Sequence, residues 1–327
     1  MSGSDVKVSV VVCTYNGEKY LREQLQSIRD QTWPPDEIII SDDGSTDSTL
    51  EIIEDFALSS NGPHPPVWRV EKRTKPSGVS GNFASALGEV RGEFIALADQ
   101  DDVWEPDRLE KGLAHFHYGA LLVHSDATLI SGSGLPTGTL MSALRLTSRE
   151  KRNLLSGRAL RALLRRNVVT GATTMIRSSL LEQALPIPEG WVHDEWLALV
   201  AAVQGGVVFQ EDLLIRYRQH GNNQIGASKA GYEEATRRLR EKRSEFFARK
   251  LRRNDGIVAL LANKPVWLDS VAHSSLAAKV EFDQWRSTLP SSRVRRLVPV
   301  LRRWFTGHYG HYARGYLDVI RDIALID

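Results

Sequence analysis

The 327-residue sequence contains a single cysteine, Cys13. One thiol excludes a disulfide framework and any cysteine-built zinc site, and it fits a reducing compartment. Nowhere does the chain approach the ~20 consecutive apolar residues of a membrane-spanning helix. The N-terminus lacks the basic-then-apolar layout of a secretory leader. A cytoplasmic location is therefore expected, with contact to the inner face of the plasma membrane left open. Two nucleotide signatures are also missing. No G-x-G-x-x-G follows the first apolar run and no G-x-x-x-x-G-K-[ST] occurs, which disfavours ordinary dinucleotide and P-loop binding.

What is present suits a folded protein. A hydrophobic content of 42% and a charged content of 25% support a real core and argue against wholesale disorder. The length accommodates one large domain with an appendage, or two domains. The net charge of +2 conceals an asymmetry. Residues 231–327 carry 19 Lys+Arg against 11 Asp+Glu, leaving 23 against 29 for the rest. An acidic front and a basic back imply different partners for each part.

The first half alternates two periodicities. The short β-branched or apolar runs VKVSVVVC (6–13), EIIIS (37–41), VWRVE (67–71) and FIALA (94–98) read as strands. Between them, Tyr20, Leu21, Leu25 and Ile28, then Leu50, Ile53 and Phe56, then Phe83, Ala86, Leu87 and Val90 mark helical faces. Continuous apolar strands alternating with amphipathic helices indicate an α/β fold with a mostly parallel central sheet covered by helices on both faces. Farther on, 120–130, 167–176 and 207–220 read as strands and 140–166 as basic helices. A helix carries Trp196, Leu199, Val200 and Val203, and from about 231 the chain reads as a helical C-terminal region.

In parallel sheets ligands bind outside the carboxyl ends of the strands. That places CTYNGE (13–18), DDGSTD (42–47) and DQDD (99–102) side by side. Three carboxylates in four positions, Asp99, Asp101 and Asp102, repel one another unless a counter-charge intervenes. A hard divalent cation takes one or two carboxylates and completes its shell with substrate phosphates. It would let an acidic edge hold a diphosphate. The plainer alternatives are turn chemistry, with Asp102 capping the next helix and Ser45 or Thr46 capping the helix after DDGSTD. Asp-x-Asp-x-Val after a strand also resembles the nucleophile loop of haloacid-dehalogenase-type phosphatases, which would make Asp99 the nucleophile. In that family, however, a second acidic loop comes later in the chain, not earlier.

The ordered set VSVVVCTYNGE, QTWPPDEIIISDDGSTD and GEFIALADQDDVW resembles the nucleotide-sugar-binding half of family 2 glycosyltransferases with the GT-A fold. NVVTGATT, HDEWLAL and YRQHGNNQIG resemble its bacterial rhamnosyltransferase-like branch. The resemblance spans about residues 6–225. It implies a catalytic domain over 1–225 and a helical basic region over 226–327. By position it places Tyr15 and Glu18 in the nucleotide pocket, Asp43 on a uracil- or thymine-type base and Asp99 near the ribose and metal. Asp101 and His220 would hold Mg²⁺ or Mn²⁺.

The family's base position falls on Asp194 in HDEW, with Glu195 as the competing acid. Asp194 also reads as a helix N-cap, and the helix dipole would keep it ionised. The implied activity is inverting transfer of a sugar, rhamnose from dTDP-rhamnose before UDP-linked hexoses, to a hydroxyl of a surface polysaccharide or lipid-linked glycan. A non-catalytic glycan- or nucleotide-binding module is the remaining rival class. RVRRLVPVLRRWF (293–305) sets Arg beside Leu, Val, Trp and Phe as a membrane-surface helix would. Nucleic acid is disfavoured as a partner because the acidic edge would repel it.

Overall fold

A computed structural model describes residues 7–60, 65–220, 242–263 and 265–325. The chain begins with β1 (Val8–Thr14), α1 (Leu21–Arg29), β2 (Glu37–Asp42), α2 (Thr49–Leu58), β3 (Val67–Lys72), α3 (Gly78–Gly88) and β4 (Phe94–Asp99). There follow β5 (Val103–Trp104), α4 (Arg108–Ala114), β6 (Leu122–Ser131) and β7 (Pro136–Thr139). Three short helices come next, α5 (Leu140–Ala143), α6 (Ser148–Leu155) and α7 (Ala159–Leu163), then β8 (Thr174–Arg177), α8 (Leu181–Ala184), α9 (His193–Val203) and β9 (Val207–Gln219).

The strands form one sheet in the order β3-β2-β1-β4-β8-β6-β9-β5, with β7 on β6. The half read most clearly from sequence, β3-β2-β1-β4, is wholly parallel. Beyond β4 the sheet is mixed, because β8 runs antiparallel to both β4 and β6. Alternation along each strand explains why the apolar runs are unbroken. On β1 and β2, Val10, Val12, Ile38 and Ile40 pack with α1, α2 and α4, while Val11 and Ile39 pack with α3 and α9. With both faces covered, every position is core. Register then aligns the carboxyl ends: Cys13 stands opposite Ser41 on one side and Asp99 on the other.

The strand expected over 167–176 shrinks to β8. Asn167 folds back on the backbone, its side chain bonding both the N–H and the carbonyl of Val169 (3.0 and 2.8 Å), and 171–173 form a 3₁₀ turn. Asn167, Val169, Thr170 and Gly171 are thereby released from the sheet to line a cavity.

The C-terminal helices are α10 (Arg243–Asn263), α11 (Ser270–Ser287), α12 (Arg293–Phe305), α13 (His308–Tyr312) and α14 (Tyr316–Ala324). Ile257 and Leu260 of α10 and Leu276 and Val280 of α11 join the core beneath α9. The remainder closes on a small core of Phe282, Leu289, Val300, Tyr309 and Val319. At its centre Arg286, fully buried, bonds both carboxylate oxygens of Asp322 (2.6 and 2.9 Å). Segment 221–226 of the GNNQIG motif and the boundary expected at 225/226 lie outside the described residues. Among the described residues no helix is long and apolar enough to cross a membrane.

Candidate functional site

Three loops meet at the carboxyl edge. Asn16 sits in the left-handed region (φ 48°), where Asn is better tolerated than most residues. Its side-chain oxygen accepts the Thr46 N–H (2.8 Å) while its own N–H reaches Ser45 Oγ (2.8 Å). The first loop is thus tied to DDGSTD. Within that loop the two acids diverge. Asp42 is spent internally, accepting from Thr14 Oγ1 (2.7 Å) and the Ser45 N–H (2.8 Å). Asp43 accepts from the Ser77 and Gly78 N–H groups (2.8 and 2.9 Å), just before and at the start of α3. The cap of α2 is Ser48, not Ser45 or Thr46, because Ser45 is committed to Asp42.

DQDD separates into four roles. Asp99, at the end of β4, faces the cavity. Burial first, then the charges of Asp101 and Asp194, push its carboxyl up to about 7. Gln100 braces the first loop, accepting the Tyr15 N–H (2.9 Å) and donating to the Tyr15 carbonyl (3.0 Å). Asp101 meets His220 Nε2 at 2.7 Å. Asp102 turns inward and accepts the Arg218 N–H of β9 (2.9 Å), with burial raising its pKa well above the usual carboxylate range. It caps no helix: α4 starts at Arg108 with Asp107 as its N-cap. Five residues separate Asp102 from that helix, and its side chain is already spent on β9.

Beneath the acids lies Arg108, 1% exposed, stacked on Trp104 (3.5 Å) and donating to the Leu97 and Ala172 carbonyls (3.0 and 2.7 Å). Burial lowers its pKa to about 9, and Asp102 and Asp99 oppose that shift, so it stays charged at neutral pH. Nothing in its amphipathic helix marks this role. Arg218 holds the other flank, donating to the Asp101 carbonyl (2.8 Å) and to Glu23 (2.6 Å) and lying over Tyr20 (4.6 Å).

Asp194 occupies the second position of α9, whose N-cap is Val192. Its carboxylate accepts the Gly171 N–H (2.9 Å) and the Glu195 N–H (2.6 Å). The expected N-cap is therefore corrected. Desolvation, with Glu195 adding repulsion, brings the carboxyl up to about 7, against the lowering by the Gly171 and Glu195 N–H groups. The preceding His193 is buried and stacked on Phe83 (4.0 Å), and burial lowers its pKa to about 3. This neutral imidazole is part of the wall.

Tyr15, Asp43, Asp99, Asp101, Asp194 and His220 all line one cavity of about 730 Å³. Glu18 does not. Its carboxylate accepts the Ser48 N–H (3.1 Å) at the start of α2. Glu195 is also turned away, paired with Arg253 (2.7 Å) in the lining of a different cavity. Among the described residues no three His, Cys, Asp or Glu side chains by themselves enclose a cation. The Asp101–His220 pair, 2.7 Å apart, nonetheless fits an ion that finishes its shell on substrate oxygens.

A parallel β3-β2-β1-β4 half with an acidic carboxyl edge, continued into a mixed sheet, is the GT-A architecture. Glycosyl transferase family 2 matches residues 9–184, and the chain belongs to that family. An uncharacterised glycosyltransferase of Haemophilus influenzae is 26% identical over 263 residues, 75% of each chain. The poly(ribitol-phosphate) β-N-acetylglucosaminyltransferase TarS of Staphylococcus aureus is 35% identical over 133 residues, 40% of this chain and 22% of TarS. The structure of TarS residues 1–349 with UDP-GlcNAc superimposes with a TM-score of 0.58 at 19% identity, covering 98% of this chain and 90% of that one. Family membership sets aside the phosphatase reading of DQDD.

Proposed function

We propose that the chain transfers a sugar from a nucleoside diphosphate donor to an acceptor hydroxyl with inversion, using Asp194 as the base. The observation that carries this is the convergence of Asp43, Asp99, Asp101, Asp194 and His220 on one cavity. Asp43 would accept from the nucleobase and Tyr15 would flank it. Asp101 and His220, with Asp99 beside them, would hold Mg²⁺ or Mn²⁺. When bound, the cation would offset negative charge on the diphosphate. Asp194 would take the acceptor proton, and a carboxyl near 7 is matched to that work at neutral pH. Its oxygens are aimed by the Gly171 and Glu195 N–H groups. The pairing of Glu195 with Arg253 favours Asp194 as the working acid.

The likeness to TarS, seen with UDP-GlcNAc, favours a UDP-hexose donor. The HDEW and RQHG segments keep dTDP-rhamnose as the competing donor. The acceptor would be a glycan or a lipid-linked glycan. Val294, Val298 and Phe305 of α12 and Leu317 and Ile320 of α14 are exposed beside Arg293, Arg295 and Arg302. That mixture suits peripheral contact with an anionic membrane, although Arg296 of the same helix is fully buried. Binding of UDP-GlcNAc and dTDP-rhamnose, measured by calorimetry with Mn²⁺ and then with EDTA, tests the donor site. One donor should bind only with metal, and Asp101→Ala should abolish that binding. Equal binding in EDTA would overturn the role given to Asp101.

A further inference from the structure

A second cavity, of about 820 Å³, lies between the core and the C-terminal helices. Asn167 lines both cavities, and the adjacent residues Asp194 and Glu195 face different ones. The two spaces therefore share the wall that carries the proposed base. Eight residues of the second lining are Arg or Lys and four are Asp or Glu. The cations come from several directions, among them Lys250 and Arg253 of α10, Lys279 of α11 and Arg321 of α14.

Three of the four acids in the lining are paired with its cations. Asp283 takes Lys250 (3.2 Å) and Lys279 (2.8 Å), Asp318 takes Arg321 (3.0 Å), and Glu195 takes Arg253. Crowding shows on Lys250, where burial and then the Lys279 charge bring the ammonium down to about 7. Asn254, 4% exposed, also belongs to this lining, and its Nδ2 has no hydrogen-bond partner among the described residues. Buried donors left unmet are rare and costly. Arg165 and Arg166 pair with Glu150 from outside the lining, and with it counted the cations still outnumber the acids eight to five. That positive excess beside the Asn254 donor suits an anion.

We infer that this cavity takes a phosphate group of the acceptor, so that the acceptor class is a phosphate-bearing glycan or polyol chain. The inference rests on the transferase reading given above. The phosphate lies among Lys250, Arg253, Arg321 and Asn254, and the chain continues past Asn167 to present a hydroxyl to Asp194. Cations arriving from several helices suit a tetrahedral phosphate, whose oxygens point in several directions. A planar carboxylate is typically met by one bidentate guanidinium. The volume admits more than one phosphate-linked unit.

The test is calorimetric titration in EDTA, which removes metal from the donor cavity. The probes are sn-glycerol 3-phosphate, dihexanoyl phosphatidylglycerol and, as control, glycerol. Glycerol phosphate should bind saturably and glycerol should not. Asn254→Leu and Arg321→Gln should each weaken binding about tenfold, the scale of one charge-assisted hydrogen bond. Both variants should bind UDP with Mn²⁺ as the wild type does. Asn254→Leu should melt no lower than wild type, because it deletes an unmet donor, whereas a merely structural Asn would lose stability. Tighter binding of the lipid probe assigns a lipid-linked acceptor and equal binding a soluble phosphate chain; either supports the site. No saturable binding of either phosphate probe, or unchanged affinity in both variants, overturns it. Phosphate binding through these residues without any UDP binding would remove the transferase reading and leave the phosphate site standing.

Discussion

Replacing Asp194 with Asn turns a titrating carboxyl into a permanently neutral amide of the same shape. Burial holds this carboxyl near 7 against an ordinary 3.8. Between those values the folded protein keeps a proton that the unfolded chain has released, so this group makes stability fall as pH rises through the window. Two pH units inside it correspond to roughly 3 kcal/mol for a fully desolvated group. Asp194 retains some contact with the cavity, and screening reduces the expected figure to about 1–2 kcal/mol. The amide nitrogen cannot accept the N–H of Gly171 or Glu195, which adds a penalty of about 1 kcal/mol that is the same at every pH.

The informative quantity is therefore how the gap in unfolding free energy between wild type and Asp194→Asn changes, measured by urea denaturation at pH 5 and pH 8. The variant should gain on the wild type by about 1–2 kcal/mol between the two. Asp99, raised in part by the Asp194 charge, moves in the same direction. A gap constant within ~0.5 kcal/mol would mean that Asp194 is ionised throughout, and the desolvation argument would fail. In transfer assays the same variant should lose roughly 10²–10⁴-fold in kcat, the range for a general base, while still binding donor.

Three further outcomes are expected. For wild type, kcat/KM should rise with pH through about 7 and then level, as the Asp194 carboxyl ionises; a flat profile from pH 5 to 8 would assign the proton to another group. Gln100→Ala frees the Tyr15 backbone from two hydrogen bonds and should raise donor KM roughly tenfold, read from initial rates; an unchanged KM would show that the first loop holds its shape alone. Asp322→Asn leaves buried Arg286 without its bidentate partner and should cost about 3–5 kcal/mol in thermal or urea unfolding, and a loss below ~1 kcal/mol would show that Asp283 and Asp318 suffice.

Much of this was legible in sequence for a definite reason. Period-2 and period-3.6 patterns are local, so β1 to β4 and the helices between them follow from residue order alone. The carboxyl-edge rule then brings CTYNGE, DDGSTD and DQDD together. Loops are less legible, because their geometry depends on single side-chain contacts. The strand expected over 167–176 failed because a single side chain, Asn167, recaptures the backbone of Val169.

The sequence by itself determined the α/β order, the acidic edge and the family likeness, since each depends on residue types at short spacing. Only the tertiary structure decided which acid does what. Asp102 is drawn inward by an N–H of β9, 116 residues away. Glu18 and Glu195 are turned out of the cavity by partners on other elements. Burial raises the Asp194 carboxyl to about 7, against the lowering by the Gly171 and Glu195 N–H groups. Burial and long-range pairing set the charge and direction of a carboxylate, and neither is written in its neighbours along the chain.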